Sequence, residues 1–166
     1  IEITYDSTSS ITVNTVNATE IDAALYNGDT KVKDLVTSGL TITLDVTGLN
    51  VGTYTLNVTT KPDSNHKANS TKGSIIIGKA GSDVTVPTSA NVDYASSVNV
   101  TVSNLVNAST VNAKLYNGDS EVGIVTIDGN NITVNVTGLT VGTYTLNVTT
   151  VTDNNHANVT KTCNII

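Results

Sequence analysis

The sequence predicts an all-β protein built of two tandem antiparallel β-sandwich domains, and three observations carry that expectation. Residues 51–60, Val-Gly-Thr-Tyr-Thr-Leu-Asn-Val-Thr-Thr, recur unchanged at 141–150. Within that stretch Tyr54, Leu56 and Val58 alternate with Thr53, Thr55, Asn57 and Thr59, the period-two pattern of a strand with one buried and one wet face. The apolar palette is Val, Ile, Leu, Ala and six Tyr, with no Trp, Phe or Met. Such β-branched richness favours strands over helices.

Taken in order, residues 1–5 read as a first strand, and 9–17 as a second in which Ile11 and Val13 alternate with polar neighbours. Ile21, Ala23 and Leu25 form the inward set of a third, closed by Asn27-Gly28-Asp29, whose Asn-Gly pair tolerates the positive φ of a tight hairpin. Residues 31–36 are charged and weakly patterned, which places them at a sheet edge where lysines discourage strand addition. Clean alternation returns at 40–46 with Ile42, Leu44 and Val46 inward, and the turn at 47–50 delivers the chain to 53–60. After the loop containing Pro62, a last strand ends at Ile75, Ile76 and Ile77. The plan then repeats, with Val98, Val100 and Val102, then Val111, Ala113 and Leu115, the hairpin Asn117-Gly118-Asp119, then Ile132, Val134 and Val136, then Tyr144, Leu146 and Val148. Seven short strands per repeat and no helical period argue a sandwich. The expected domains are 1–78 and 83–166, joined by a short linker at 79–82. Segments 16–66 and 106–156 agree at 30 of 51 positions, so the two cores are expected to match.

Charge narrows the partners. The net charge is −6, and it is negative in both repeats. Eight lysines, no arginine and no basic cluster leave no footprint for nucleic acid or an anionic membrane. No apolar run approaches the roughly 18–20 residues of a membrane span, so no direct membrane insertion is expected. The chain begins without a leader and is read as an excised piece, with signal, anchor and further repeats expected in the parent protein. With one cysteine, no disulfide forms within the chain.

Gly52-x-Tyr54-x-Leu56, with Asn50 two residues before the glycine, resembles the immunoglobulin signature around the sixth strand, where Asp-x-Gly-x-Tyr-x-Cys carries the tyrosine corner. Leu56 and Leu146 replace that cysteine, and the usual core tryptophan is absent. What remains looks like the disulfide-free, bacterial immunoglobulin-like tandem repeats of prokaryotic surface proteins. The Asn/Thr richness and the Asn-His loops make the adhesin-like proteins of methanogenic archaea the nearest group. The resemblance implies an immunoglobulin-like fold, tandem display at the cell surface and a structural tyrosine corner at Tyr54 and Tyr144. It supplies no catalytic residues.

Candidate sites are few. His66 and His156 occupy matching loops, each preceded by Asp at minus three and Asn at minus one. Asp63 with Asn65, and Asp153 with Asn155, could begin an oxygen shell for calcium, but one carboxylate per loop is thin for an ion that takes six to eight oxygens. A turn role is the expectation, and no cofactor or metal is assigned. One histidine per repeat and acids scattered over turns provide no acid–base pair in a cleft, so the chain is not read as an enzyme. Cys163 reads as a small half-buried strand residue matching Ser74, with an intermolecular disulfide as the sharper alternative. Asn17, Asn57, Asn69, Asn99, Asn107, Asn131, Asn135, Asn147 and Asn158 all head Asn-X-Ser/Thr triplets and are candidate N-glycosylation sites. Alternation puts Asn57, Asn99, Asn131, Asn135 and Asn147 on outward faces.

The function expected is a structural or adhesive segment of a cell-surface protein, a stalk or a weak multivalent module whose partners are neighbouring repeats and surface glycans or proteins. The alternatives are a dedicated carbohydrate- or protein-binding domain and an accessory domain of a secreted enzyme.

Overall fold

The structure, a computed structural model, describes residues 1–166 and is built of strands and turns without a helix. Two compact units are present, Ile1–Ala80 and Gly81–Ile166. Each is an immunoglobulin-like β-sandwich.

The first unit contains β1 (Glu2–Thr4), β2 (Thr8–Thr12), β3 (Ile21–Asn27), β4 (Thr30–Ser38), β5 (Thr41–Asp45), β6 (Gly52–Thr60) and β7 (Ser70–Gly78). Their order is β1-β7-β6-β3-β4-β5-β2. All pairs are antiparallel except β1 with β7. The 31–36 segment was expected at an edge, and the structure refines this. Lys31, Lys33, Asp34 and Leu35 pair with β3, whereas Val36, Thr37 and Ser38 pair with β5. β4 therefore turns the corner between the two layers. Its charges serve that corner, since Lys33 reaches Asp45 at 2.9 Å and Lys31 reaches Asp34 at 3.0 Å. Leu35 is its one buried anchor.

The second expected strand is shorter than the sequence reading. β2 ends at Thr12, the Val13 N–H donates to the Leu40 carbonyl at 2.9 Å, and residues 14–17 leave the sheet. Ile21, Leu25, Ile42, Leu44, Val46, Ile75 and Ile77 fill the space between the layers with almost no exposure. Burying one such side chain stabilises by about 1.5–3 kcal/mol.

The second unit follows β8 (Ala80–Gly81) with β9 (Asp83–Thr85), β10 (Ser89–Ala90), β11 (Ser97–Thr101), β12 (Ser103–Val106), β13 (Thr110–Asn117), β14 (Ser120–Glu121), β15 (Ile124–Asp128), β16 (Asn131–Asn135), β17 (Tyr144–Val151), β18 (His156–Ala157) and β19 (Thr160–Ile165). One layer is β10-β19-β17-β13-β14 and the other is β11-β16-β15, with β9 against β12. β10 pairs parallel with β19, as β1 does with β7. Pro87 stands between β9 and β10. Having no N–H to give a ladder, it suits the point where the first strand leaves one sheet and joins the other. The corner that β4 makes in one piece is broken here at Gly123, whose φ of +68° is left-handed. That difference falls within the stretch, 30–41 against 120–131, where the repeats diverge most.

Strand register corrects one sequence alignment. Leu56 faces Gly73 and Leu146 faces Cys163 across their sheets. Cys163 therefore matches Gly73, not Ser74, and it is fully buried, not half-buried. Its inward parity with Ile165 is the reason.

Candidate functional site

Tyr54, near the start of β6, and Tyr144, the first residue of β17, pack their rings into the cores, 7% and 6% exposed. The Tyr54 hydroxyl donates to the Asn50 carbonyl at 2.9 Å, and the Tyr144 hydroxyl to the Thr140 carbonyl at 2.6 Å. Thr140 Oγ1 lies 3.2 Å from the same hydroxyl. Each ring thus ties its strand to the turn before it, a turn opened by Gly48 (φ +79°) or Gly138 (φ +83°). Buried phenols normally find such a partner.

A second matched device lies at the other end of the same strands, and the sequence reading missed it. Thr150 is the one fully buried polar residue, at 0% exposure. Its Oγ1 accepts from the Val159 N–H at 2.8 Å and lies 2.7 Å from Ser82 Oγ. Thr60 repeats the first contact, accepting from the Asn69 N–H at 2.9 Å. The signal was in the alternation, because Thr60 and Thr150 share the inward parity of Tyr, Leu and Val. A polar residue kept at an inward position has a bond to make.

The Asp-x-Asn-His loops are turns held by their own carboxylates. Asp63 Oδ1 accepts from the N–H groups of Asn65 and His66, both at 2.7 Å, and Asp63 Oδ2 lies 2.9 Å from His66 Nδ1. Asp153 Oδ1 accepts from the Asn155 N–H at 2.8 Å and lies 2.7 Å from His156 Nδ1. Both carboxyls are held below the usual carboxylate range, first by the histidine and then by the asparagine N–H. The arrangement caps a turn, and no group of three or more His, Cys, Asp or Glu is assembled elsewhere. Asp45 is likewise lowered, by Thr47 and then by Lys33. Asp83 is lowered by the Val84 N–H and by Lys161.

The nine glycosylation candidates separate by environment. Asn17, Asn69, Asn99, Asn107, Asn131 and Asn158 are exposed, whereas Asn57, Asn135 and Asn147 are half-buried on the sheet faces. Asn57 Oδ1 is buried without a hydrogen-bond partner. Several amides are already in use. Asn99 Oδ1 accepts from Thr133 at 2.8 Å, Asn131 Oδ1 from Thr101 at 2.9 Å, and Asn135 Oδ1 from the Thr137 N–H at 2.8 Å. Asn107 Nδ2, the atom that would carry a glycan, donates to the Gly81 carbonyl at 2.9 Å.

No protein-family model and no curated protein matches the chain. Solved structures similar to it include the I67–I69 fragment of titin, at 11% identity and a TM-score of 0.39, covering 99% of this chain and 61% of that one. The amphioxus IgVJ-C2 molecule is similar at 12% identity and a TM-score of 0.40, covering 99% and 98%. The fibronectin(III)-like modules of Clostridium thermocellum CbhA are similar at 13% identity and a TM-score of 0.34, covering 99% and 87%. This chain spans about three fifths of the titin fragment's length.

Proposed function

We propose that this chain is a non-catalytic, load-bearing segment of an extracellular surface stalk, adhesin-like in character and able to add weak multivalent contacts. The observation that carries the reading is mechanical. In each unit a strand near the unit's start pairs parallel with its last strand, β1 with β7 and β10 with β19. Tension applied at the two ends of a unit then pulls the paired strands past each other. All their hydrogen bonds are loaded together in shear, where a hairpin pulled apart at one end would yield one bond at a time. In the first unit the loaded bonds include Tyr5 N–H to Gly78 O and Ile76 N–H to Ile1 O, both 2.8 Å. In the second they include Val92 N–H to Ile166 O at 2.9 Å and Ile166 N–H to Ala90 O at 3.0 Å.

What the repeats share is scaffolding: matched cores, the tyrosine ties, the threonine bonds and the Asp-His turns. Titratable groups are spent on turns and surface ion pairs, which supports the non-catalytic reading. The resemblance to disulfide-free repeats of prokaryotic surface proteins, with methanogen adhesin-like proteins nearest, is consistent with that role. On this reading the partners are neighbouring repeats and surface glycans or proteins, and exposed sequons such as Asn69 and Asn158 carry glycans. The test is single-molecule pulling of the whole chain. Two separate unfolding events are expected. Tyr5→Pro and Val92→Pro each remove one loaded N–H and should lower the force of one event only. Units that yield without a resolvable event, or forces unmoved by both substitutions, would refute a load-bearing role.

A further inference from the structure

The outer face of the first unit carries a pocket whose polar groups have no use inside the protein. The ladders set its residues side by side. On that face Ala24 of β3, Asn57 of β6 and Lys72 of β7 form one cross-strand row, and Tyr26 lies opposite Thr55 in the next. Gly28 and Asp29 of the hairpin follow beyond Tyr26. Together Tyr26, Gly28, Asp29, Thr55, Asn57 and Lys72 line an open pocket of about 480 Å³. That size falls within the roughly 300–1,000 Å³ of small-molecule sites.

These groups are left over from folding. Asn57 Oδ1 is the one buried side-chain polar atom of the chain with no hydrogen-bond partner, and such an atom calls for a donor. Lys31, Lys33, Lys61, Lys114 and Lys161 are all ion-paired. Lys72 and Asp29 are in no ion pair, and the Tyr26 ring is half-buried. The second unit keeps Tyr116, Asp119, Thr145 and Asn147 at the matching places but changes two others. Lys114 stands where the first unit has Ala24, and Thr162 where it has Lys72. Lys114 reaches Glu121 at 2.8 Å, and Glu121 is the ladder neighbour of Tyr116. The strip beside that tyrosine is therefore taken up by an ion pair, and the cation across the face is gone.

We infer that the pocket of the first unit binds one neutral sugar ring of a surface glycan. The charges argue against an ion, since Lys72 and Asp29 bring one of each sign to the same pocket. Thr55 and Asn57 make the pocket polar, which argues against an apolar ligand. A pyranose matches every group, because each of its hydroxyls both donates and accepts, as any hydroxyl does. One hydroxyl donates to Asn57 Oδ1, another donates to the Asp29 carboxylate, and a third accepts from Lys72 Nζ. The C–H face of the ring lies on the Tyr26 ring, whose body is apolar and whose hydroxyl stays wet. Such a contact is weak by itself and gains strength when many are made together. It rests on the multivalent-contact part of the stalk reading and owes nothing to load bearing. A glycan on Asn57 would fill the same pocket, so the chain unmodified at Asn57 is the binding form.

The test is heteronuclear NMR of the whole chain, produced without N-glycosylation and titrated with the methyl glycosides of glucose, galactose, mannose and N-acetylglucosamine. At least one is expected to bind saturably, with a Kd in the millimolar range. It should shift the amides around Tyr26, Asp29, Asn57 and Lys72 and leave those of Tyr116, Asn147 and Thr162 in place. Tyr26→Ala and Lys72→Thr should each weaken binding by about tenfold, the value of one strong contact. Asn57→Leu separates a binding role from a structural one. It should abolish binding and raise the melting temperature of the first unit, because it removes a buried acceptor that has no partner. No shift with any of the four glycosides overturns the inference, as do equal shifts in both units. Binding that survives Tyr26→Ala and Lys72→Thr, or is unchanged in Asn57→Leu, overturns it too. So do the same shifts produced by sodium acetate or by a glycine-serine peptide. None of these outcomes involves an unfolding force, so a failed titration leaves the load-bearing reading standing, and failed pulling leaves the sugar site standing.

Discussion

Replacing Tyr54 or Tyr144 with Phe removes a single oxygen and leaves the ring in place, which makes it a direct measure of what the tyrosine ties contribute. The cavity term is nil at the ring, so the cost is the hydrogen bond alone. Tyr54 makes one, to the Asn50 carbonyl at 2.9 Å. Asn50 lies on an exposed turn, so water can rehydrate its carbonyl, and Tyr54→Phe should cost about 1 kcal/mol. Tyr144 makes a shorter bond, 2.6 Å to Thr140 O, with Thr140 Oγ1 beside it. Its substitution should cost the same or more, about 1–2 kcal/mol. For a domain of this size 1 kcal/mol corresponds to roughly 4–8 °C in melting temperature. Calorimetry of the whole chain should show one transition moved by each variant, and amide exchange should place the loosened amides in the unit that carries the substitution. An unchanged melting temperature for both variants would refute the claim that these hydroxyls hold the turn.

Thr150→Val keeps the shape but leaves the Val159 N–H unpaired in a fully buried place, and chemical denaturation should show a loss of about 2–3 kcal/mol. Thr60→Val should cost less, because water reaches that half-buried site. Acid should destabilise the fold. Asp45, Asp63, Asp83 and Asp153 have lowered folded-state pKa values, so the unfolded chain binds their protons first as pH falls. Stability is fully present above the ordinary carboxylate value of 3.8 and should drop as pH falls through and below it. Asp63→Asn combined with Asp153→Asn should flatten that acid limb of the denaturation profile. Burial pushes the Cys163 thiol up, and the side chain is fully enclosed. A maleimide should therefore modify it only at the rate of unfolding, while rapid labelling of the native chain would contradict its placement.

The sequence by itself determined the central core strands and which of their side chains face inward. Alternation is local, and a residue two positions along a strand must point the same way, so Ile42, Leu44 and Val46 or Tyr144, Leu146 and Val148 could be read inward without knowing their partners. It also showed the duplication, and with it the matching turns at Gly48 and Gly138. Partners across a sheet are another matter, because one residue of slippage is invisible in the pattern of either strand alone. Cys163 was paired with Ser74 for that reason, and only the ladder opposite Leu146 set it against Gly73. The corner made by β4, broken at Gly123 in the second unit, was equally hidden, since a charged strand looks the same whether it borders one layer or passes between two. That residues 14–17 leave the sheet after Thr12 could likewise be seen only in three dimensions. The alternation of Ile11 and Val13 gives no sign of a stop, and the place where the ladder ends is marked by the bond from the Val13 N–H to the Leu40 carbonyl, a partner distant along the chain.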